Sequence, residues 1–262
     1  MSRKLSIKFL GTGTSVGIPQ IGCTCPACTS ADPRDSRSRG GVVIESQETA
    51  IIVDTPPEFR ISCLKYGVVR ADAIVITHTH MDHVAGFDDV RRFNTINGAK
   101  PMNCYGAKET LEGLRHIFPY ISDKPNMNGL YRPMIRFRPV ERAFRIGDIK
   151  VVPVPVIHGP RTNGYVFESA GRRLAYVPDC HEIPASSLRK LKGLDLLVID
   201  CLRAERPHST HMTLPLSLAA AERIGAKQTL FTHMSHSVVH AQLEASLPSE
   251  IRLAYDGLVV EL

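Results

Sequence analysis

Short apolar runs alternate with polar turns along the whole chain, and their lengths predict a protein of many strands and several helices. The predicted strands are residues 5–10, 41–45, 50–54, 73–77, 134–139, 149–157, 164–168, 173–177, 194–200, 228–232 and 258–262. Apolar positions at helical spacing predict helices at residues 58–66, 84–94, 107–118, 214–224 and 238–247.

The order of these elements predicts the architecture. Strands begin as a hairpin and then alternate with helices, and the same succession returns after residue 134. This order indicates two sheets packed together with helices outside, in four layers, so we expect an α/β fold and one domain over residues 1–262. The polar stretch 119–133 is predicted to be a long loop that serves as a lid or binding loop.

Composition narrows the class of protein. The chain has 43% hydrophobic and 22% charged residues, and it contains no apolar run of about 18 residues, so we expect no transmembrane helix. Its first residues lack an extended apolar stretch, so a signal peptide is not expected. The odd number of cysteines, seven, argues against a disulfide framework. We therefore expect a cytoplasmic protein.

The formal charge of +6 favours an anionic substrate. The basic residues are scattered, and the densest run is Arg34, Arg37 and Arg39. Because basic and aromatic residues are not interleaved, dedicated nucleic-acid binding is not indicated. The sequence leaves the oligomeric state open, with a homodimer among the alternatives.

The segment from His78 to His83 holds three imidazoles and one carboxylate, directly after an apolar run. Neutral imidazole and carboxylate are ligands of zinc, manganese and iron. In an extended segment residues i and i+2 point the same way, so His78 and His80 can reach one metal. Asp82 and His83 are adjacent and point elsewhere, so they can serve a second metal.

Other polar residues stand in the same setting, directly after a predicted strand. They are His158, Asp179, His233 and Asp54. Strand ends gather residues from distant parts of a sequence, so the first three are candidate ligands. Asp54 is instead expected to fix the tautomer of a ligand histidine.

A second cluster lies near the N-terminus. Cys23, Cys25 and Cys28 supply three thiolates on one loop, one ligand short of a closed tetrahedral zinc site. His236, three residues after His233, is the candidate fourth ligand.

The run His-Thr-His-Met-Asp-His, with the later His158, Asp179 and His233, resembles the metallo-β-lactamase-fold hydrolases. The resemblance implies a four-layer αβ/βα sandwich of two mixed β-sheets. It also implies a first metal on His78, His80 and His158. A second metal would be held by Asp82, His83 and His233, and Asp179 would bridge the two.

A narrower resemblance rests on the stretch from Gly11 to Cys28 and on Thr232-His233-Met234-Ser235-His236. It is similar to the phosphoribosyl 1,2-cyclic phosphate phosphodiesterases. This resemblance implies a structural zinc on the cysteine loop and His236. It also implies that His211 protonates the leaving group, a role for which His208 is the lesser candidate.

The expected function is therefore that of a binuclear metal-dependent phosphodiesterase acting on a small phosphodiester, cyclic ones included. Asp82, Asp179 and His211 are the expected catalytic residues, and the two active-site metals are zinc or manganese, with iron as a third option. The sequence leaves three alternatives open: a thioesterase, an RNA-processing nuclease and a non-catalytic metal-binding sensor.

Overall fold

A computed structural model describes residues 5–124 and 131–262. Its first sheet has seven strands in the order β14-β1-β2-β3-β4-β5-β6. These strands are β1 (Ser6–Gly11), β2 (Gly41–Glu45), β3 (Ala50–Val53), β4 (Ala73–Val75), β5 (Met102–Gly106), β6 (Ile135–Pro139) and β14 (Val259–Glu261). The pairs from β14 to β3 are antiparallel, and those from β3 to β6 are parallel.

The second sheet repeats this design, in the order β13-β12-β11-β10-β9-β8-β7. Its strands are β7 (Phe144–Ile146), β8 (Ile149–Val156), β9 (Thr162–Ser169), β10 (Arg172–Val177), β11 (Leu196–Asp200), β12 (Gln228–Thr232) and β13 (Ile251–Leu253). The pairs from β7 to β10 are antiparallel, and those from β10 to β13 are parallel.

The helices cover the outer faces of the two sheets. They are α1 (Phe59–Lys65), α2 (Met81–Val84), α3 (Arg91–Ile96), α4 (Lys108–Ile117), α5 (Ala185–Leu188), α6 (Leu214–Ile224) and α7 (His240–Glu244), with short 3-10 helices at Pro33–Asp35, Phe87–Val90 and Arg189–Leu191. None of the helices in the described part of the chain has the length and apolar character needed to cross a membrane.

Three buried clusters show the four layers. The central cluster joins inward-facing residues of both sheets, among them Phe9, Val42, Phe167 and Leu196. One outer cluster packs α1, α3 and α4 on the first sheet, and the other packs α5, α6 and α7 on the second. The predicted α/β sandwich of two mixed sheets is therefore confirmed.

Two predicted helices are wrong in extent. The single helix predicted at residues 84–94 is broken, because Gly86 donates its N–H to the Thr55 carbonyl and lies so close to Pro56 that a Cβ would be 2.2 Å from the Pro56 oxygen. The helix predicted at residues 238–247 is only the short α7. Strands β5, β7 and β13 and helices α2 and α5 were not predicted, and only the last residue of α2, Val84, lies in a predicted helix. The predicted loop 119–133 lies partly outside the described residues.

The parallel halves of both sheets place their carboxyl ends at one edge of the sandwich. Strands β3, β4, β10, β11 and β12 all end there, and β8 runs in the same direction as β10 because both are antiparallel to β9. Residues that follow these strands are therefore brought together from six separate segments of the chain.

Candidate metal centre

The residues that follow these strands form one cluster, as their positions in the sequence predicted. The members are Asp54 after β3, His78, His80, Asp82 and His83 after β4, His158 after β8, Asp179 after β10, Asp200 at the end of β11, and His233 after β12. His211, from the segment before α6, joins them. All are buried except His80, which is exposed.

Three imidazoles converge on one point. His80 Nδ1 lies 3.0 Å from His78 Nε2 and 3.2 Å from His158 Nε2. The backbone of His80 is extended, with φ −62° and ψ 146°, and His78 and His80 reach the same point, as the two-residue spacing predicted. These nitrogen–nitrogen separations are about the edge length of a zinc coordination tetrahedron, so the three nitrogens suit one metal ion.

A second group forms beside the first. Helix α2 begins at Met81, so Asp82 and His83 lie in its first turn. His83 Nε2 lies 3.5 Å from Asp82 Oδ2 and 3.0 Å from Asp179 Oδ2. The other carboxylate oxygen, Asp179 Oδ1, is 3.3 Å from His233 Nε2 and 3.8 Å from His158 Nε2. Asp179 therefore lies between the two groups of nitrogens.

Hydrogen bonds orient several of these rings through the ring nitrogen that faces away from the cluster. His83 Nδ1 donates to Asp54 Oδ2 at 2.8 Å, and His158 Nδ1 donates to the Thr210 carbonyl at 2.8 Å. His78 Nδ1 lies 3.0 Å from Thr77 Oγ1. A proton on Nδ1 leaves a lone pair on Nε2, which is the form that binds a metal.

His211 belongs to a buried pair. Its Nδ1 donates to Asp200 Oδ2 at 2.8 Å, and its ring stacks on that of His233 at 4.9 Å. Asp200 was missed by sequence reasoning, although it ends an apolar strand in the same way as the residues that were singled out. His208 lies farther out, with its ring 5.1 Å from that of His211.

The electrostatics of the cluster favour neutral imidazoles beside ionised carboxylates. Burial lowers the pKa of His78 and of His158, and it lowers the pKa of His233 to about 4. Burial opposes the ionisation of Asp179, but His233 and His83 outweigh it and hold that pKa well below its usual value. These are the protonation states that metal binding requires.

His83 differs from the other imidazoles. Burial opposes its positive charge, but the carboxylates of Asp179 and Asp54 outweigh burial and raise its pKa well above the usual value. Its Nε2 is buried and forms no hydrogen bond within the described residues, and neither does Asp179 Oδ2. With the His83 proton on Nδ1, both of these adjacent atoms are acceptors, and two buried acceptors that face each other fit a cation between them, because unpaired buried polar atoms are rare.

The cysteine loop meets His236 in a separate cluster. The distances from His236 Nδ1 to the Sγ atoms of Cys23, Cys25 and Cys28 are 3.2, 3.4 and 3.9 Å. A tetrahedral zinc site has a nitrogen–sulfur separation of about 3.5 Å. A hydrogen bond from the Cys28 backbone amide lowers the pKa of the Cys25 thiol to about 6, whereas burial raises the pKa of the Cys28 thiol to about 11.

An open cavity of about 750 Å³ adjoins this cluster. It is lined by Thr14 and Ser15 of the glycine-rich loop (residues 11–17) at the end of β1, by the segment from Arg203 to Arg206, and by Ser235 to Ser237. The Arg203 guanidinium donates to the carbonyls of Arg206 and Pro207 at 2.8 and 3.0 Å. Burial lowers the pKa of His211, and Arg203 adds to this shift, whereas the carboxylates of Asp179 and Asp82 oppose it.

The chain matches known proteins in both sequence and structure. A beta-lactamase superfamily domain matches residues 49–234. A solved structure described as a new diphosphatase from the PhnP family is 40% identical, with a TM-score of 0.89 and coverage of 98% of both chains.

Two curated relatives extend the comparison. An octanoyltransferase of Porphyromonas gingivalis is 32% identical over 255 residues, which is 95% of this chain, although the chain spans only 50% of that relative's length. A ribonuclease Z of Methanopyrus kandleri is 26% identical over 214 residues, 80% of this chain and 63% of the relative. The chain therefore belongs to the beta-lactamase superfamily, has the metallo-β-lactamase fold, and is similar over 98% of its length to a member of the PhnP family.

Proposed function

We propose that the chain is a binuclear metal-dependent phosphodiesterase that hydrolyses a small phosphodiester. The observation that carries the proposal is the convergence of five imidazoles and two carboxylates on two adjacent points, with Asp179 between them. Two metal ions about 3.5–4 Å apart are the arrangement used in many phosphoesterases. The similarity to ribonuclease Z and to the PhnP-family diphosphatase supports chemistry at phosphorus.

Each metal has its own proposed ligands. The first would be held by His78, His80 and His158. The second would be held by Asp82, His83 and His233, and Asp179 would be shared by the two. The donor set contains only imidazole and carboxylate, which suits zinc, manganese or iron. A separate structural zinc is proposed on Cys23, Cys25, Cys28 and His236.

The protein's own groups then divide the work of the reaction. When bound, the metal ions would activate a water molecule and offset the charge on the phosphoryl oxygens. Asp82 and Asp179 supply the negative charge that holds the ions in place. Asp54 keeps the proton of His83 on Nδ1, so that Nε2 faces the centre.

His211 is the proposed proton donor to the leaving oxygen. Asp200 holds its Nδ1, which leaves Nε2 as the atom that can carry a transferable proton. The pair resembles a general acid with its orienting carboxylate. Burial and the nearby carboxylate of Asp179 raise the pKa of Asp200 well above its usual value, whereas hydrogen bonds from the Cys180 and Met212 backbone amides favour its ionised form.

The cavity supports a small, anionic substrate. Arg203 and Arg206 line it and outnumber the one carboxylate there, Glu205, and the hydroxyls of Ser15, Ser235 and Ser237 offer hydrogen bonds. Phosphoribosyl 1,2-cyclic phosphate and cyclic or linear nucleotides fit this chemistry. A second candidate is a diphosphate ester, because the 40% identical structure is described as a diphosphatase.

The first experiment measures metal-dependent hydrolysis of bis(p-nitrophenyl) phosphate by the purified protein. A chelator should abolish turnover, and added Zn²⁺ or Mn²⁺ should restore it. Asp179→Ala should lower kcat by about 10³-fold or more, because it removes the residue shared by both metals. Glu141→Gln, an exposed change elsewhere on the surface, should leave turnover unchanged.

Intact metal-dependent turnover in Asp179→Ala would show this scheme to be wrong. A panel of a cyclic nucleotide, a nucleoside diphosphate, an acyl thioester and a precursor RNA identifies the substrate class. Preferred cleavage of the thioester or the RNA would replace the proposed function with that alternative, and metal binding without turnover of any substrate would favour a sensor.

A further inference from the structure

His233 differs from other buried histidines of the centre in the hydrogen bonding of Nδ1, the ring nitrogen that faces away from the cluster. The Nδ1 atoms of His83, His158 and His211 each donate to an acceptor at 2.8 Å. His233 Nδ1 is equally buried, yet no protein atom in the described residues forms a hydrogen bond with it. A metal-binding histidine almost always donates that proton to a partner, so one is expected here.

A second buried polar atom in the same condition lies nearby. The Tyr176 hydroxyl is fully buried and has no hydrogen-bond partner among the described protein atoms. Burial, reinforced by the carboxylates of Asp54 and Asp179, raises the pKa of this phenol well above its usual value. Tyr176 therefore keeps its proton and can both donate and accept.

Gly40 brings the two atoms to a common space. A Cβ placed on Gly40 would lie 3.8 Å from His233 Nδ1, 3.8 Å from Tyr176 Oη and 3.7 Å from His83 Cε1. The glycine thus leaves a small space that faces both unpaired atoms. Leaving each of them unpaired is energetically unfavourable, and buried water molecules commonly pair with such atoms.

We propose that one buried water molecule lies beside Gly40, accepts the His233 Nδ1 proton and is hydrogen-bonded to Tyr176 Oη. Tyr176 is then a positioning residue, because it acts through the water to hold His233 Nε2 towards the second metal. The role assigned to His233 rests on the proposed function, whereas the water itself does not.

The first test measures metal binding at equilibrium, by elemental analysis and by competition with a chelator. Tyr176→Phe should lower the affinity for the second active-site metal about 10–100-fold, the usual effect of losing a hydrogen-bond partner that orients a metal ligand. Tyr165→Phe is the matched control. Tyr165 pairs with Tyr176 on the neighbouring strand, is equally buried, and donates to the Ile76 carbonyl at 2.9 Å, so its loss should lower stability and leave metal affinity unchanged.

Two substitutions of Gly40 distinguish an effect of the proposed water molecule from an effect of packing. The φ angle of Gly40 is outside the left-handed range, and a Cβ at this position would make contacts of ordinary van der Waals length, so both variants should fold. Gly40→Ala fills the space without a polar atom and should lower the affinity for the second metal as Tyr176→Phe does. Gly40→Ser places a hydroxyl where the water is proposed and should stay within about three-fold of the wild type in metal affinity.

Equal metal affinities in Gly40→Ala and Gly40→Ser, or an unchanged affinity in Tyr176→Phe, would overturn the positioning role. A crystal structure at high resolution decides the water directly, since density within about 3 Å of both atoms is required. Failure of the wild type to bind metal outside the cysteine loop would contradict the proposed function instead, and the crystal structure would still decide whether the water is present.

Discussion

Two residues of the centre hold backbone conformations that are uncommon outside glycine. Asp54 has φ 62° and His233 has φ 60°, and each directly follows a strand. Left-handed backbone costs a non-glycine residue about 1 kcal/mol or more, and such costs persist where the surroundings over-determine them. Here the turn at Asp54 places its carboxylate against both the Thr77 backbone amide, at 2.8 Å, and His83.

The role of His211 can be tested through the leaving group. His211→Ala should slow hydrolysis of a 2′,3′-cyclic nucleotide about 10²–10⁴-fold, because the departing alkoxide needs a proton. The same variant should lose less than about ten-fold on bis(p-nitrophenyl) phosphate, whose nitrophenolate leaves without one. Steady-state kcat on the two substrates measures the difference.

His208→Ala is the control for this experiment and should stay within about three-fold on both substrates, since its ring is not hydrogen-bonded to Asp200. Asp200→Asn should fall between the two histidine variants on the cyclic nucleotide. Equal losses on both substrates in His211→Ala would assign that residue to metal or substrate binding.

Residues of the centre were predictable from sequence where one local rule applied, namely that a polar residue directly follows an apolar strand. His158, Asp179 and His233 follow apolar strands, and the structure brings them together with the His78–His83 segment. Tyr176 and Gly40 follow no such rule, because their relation to His233 arises only when β10 and the segment before β2 meet in space.

At the scale of elements, one carboxylate links the two sheets at the end of the sandwich opposite the candidate metal centre. Asp148, in the turn between β7 and β8, accepts hydrogen bonds from Ser46 Oγ at 2.6 Å and Thr49 Oγ1 at 2.7 Å, both in the β2–β3 turn. It also accepts one from Ser169, at the end of β9. Gly147 permits this approach, since a Cβ there would lie 2.1 Å from Thr49 Oγ1.

Asp148→Asn should therefore lower the free energy of unfolding by about 1–2 kcal/mol at pH 7, after allowance for solvent screening. Some desolvation opposes ionisation of Asp148, but the three hydroxyls outweigh it and lower its pKa below the usual value. The stabilisation is thus complete above the unfolded-state pKa and is lost as pH falls through the folded-state pKa.

Denaturant unfolding of the wild type and of Asp148→Asn between pH 7 and pH 3 measures this effect. The difference in stability should shrink towards pH 3, while phosphodiesterase activity of the variant at pH 7 should equal that of the wild type. A difference that grows on acidification would contradict the assignment.

Element boundaries show where sequence patterns cease to determine structure. The apolar pattern of residues 84–94 suits one helix, but the contact of Gly86 with Thr55 and Pro56 breaks it. Strands β7 and β13 have only three residues each, too short for alternation to be recognised. The long strands β8 and β11 were predicted because their burial gives them a continuous apolar run.

At the scale of the whole molecule, contacts between the two ends of the chain hold the cysteine loop beside the centre. Arg37 is buried, and its guanidinium donates to Thr12 Oγ1 at 2.8 Å and to the Ala254 carbonyl at 2.7 Å. Thr12 in turn donates to Asp256 Oδ1 at 2.8 Å. The glycine-rich loop is thereby fixed to the C-terminal segment, next to the loop that carries the cysteines.

The cysteine cluster links the same two parts of the chain, since Cys23 and His236 are 213 positions apart. A cross-link between residues this far apart restricts the unfolded chain, and the loop-closure treatment gives a stabilisation of about 5 kcal/mol. Cys25→Ser should therefore remove one equivalent of zinc and lower Tm by about 10 °C or more, at the shift per kcal/mol usual for a chain of this size.

The two metal sites should respond independently to substitution. Asp179→Ala is expected to lose the active-site metals and keep the zinc of the cysteine loop, whereas Cys25→Ser is expected to show the reverse. Thr24→Ser, an exposed change in the same loop, should alter neither. Elemental analysis with thermal unfolding measures both properties. Loss of all metals in Cys25→Ser, with the protein still folded, would mean that the loop organises the centre and is more than a link between the chain ends.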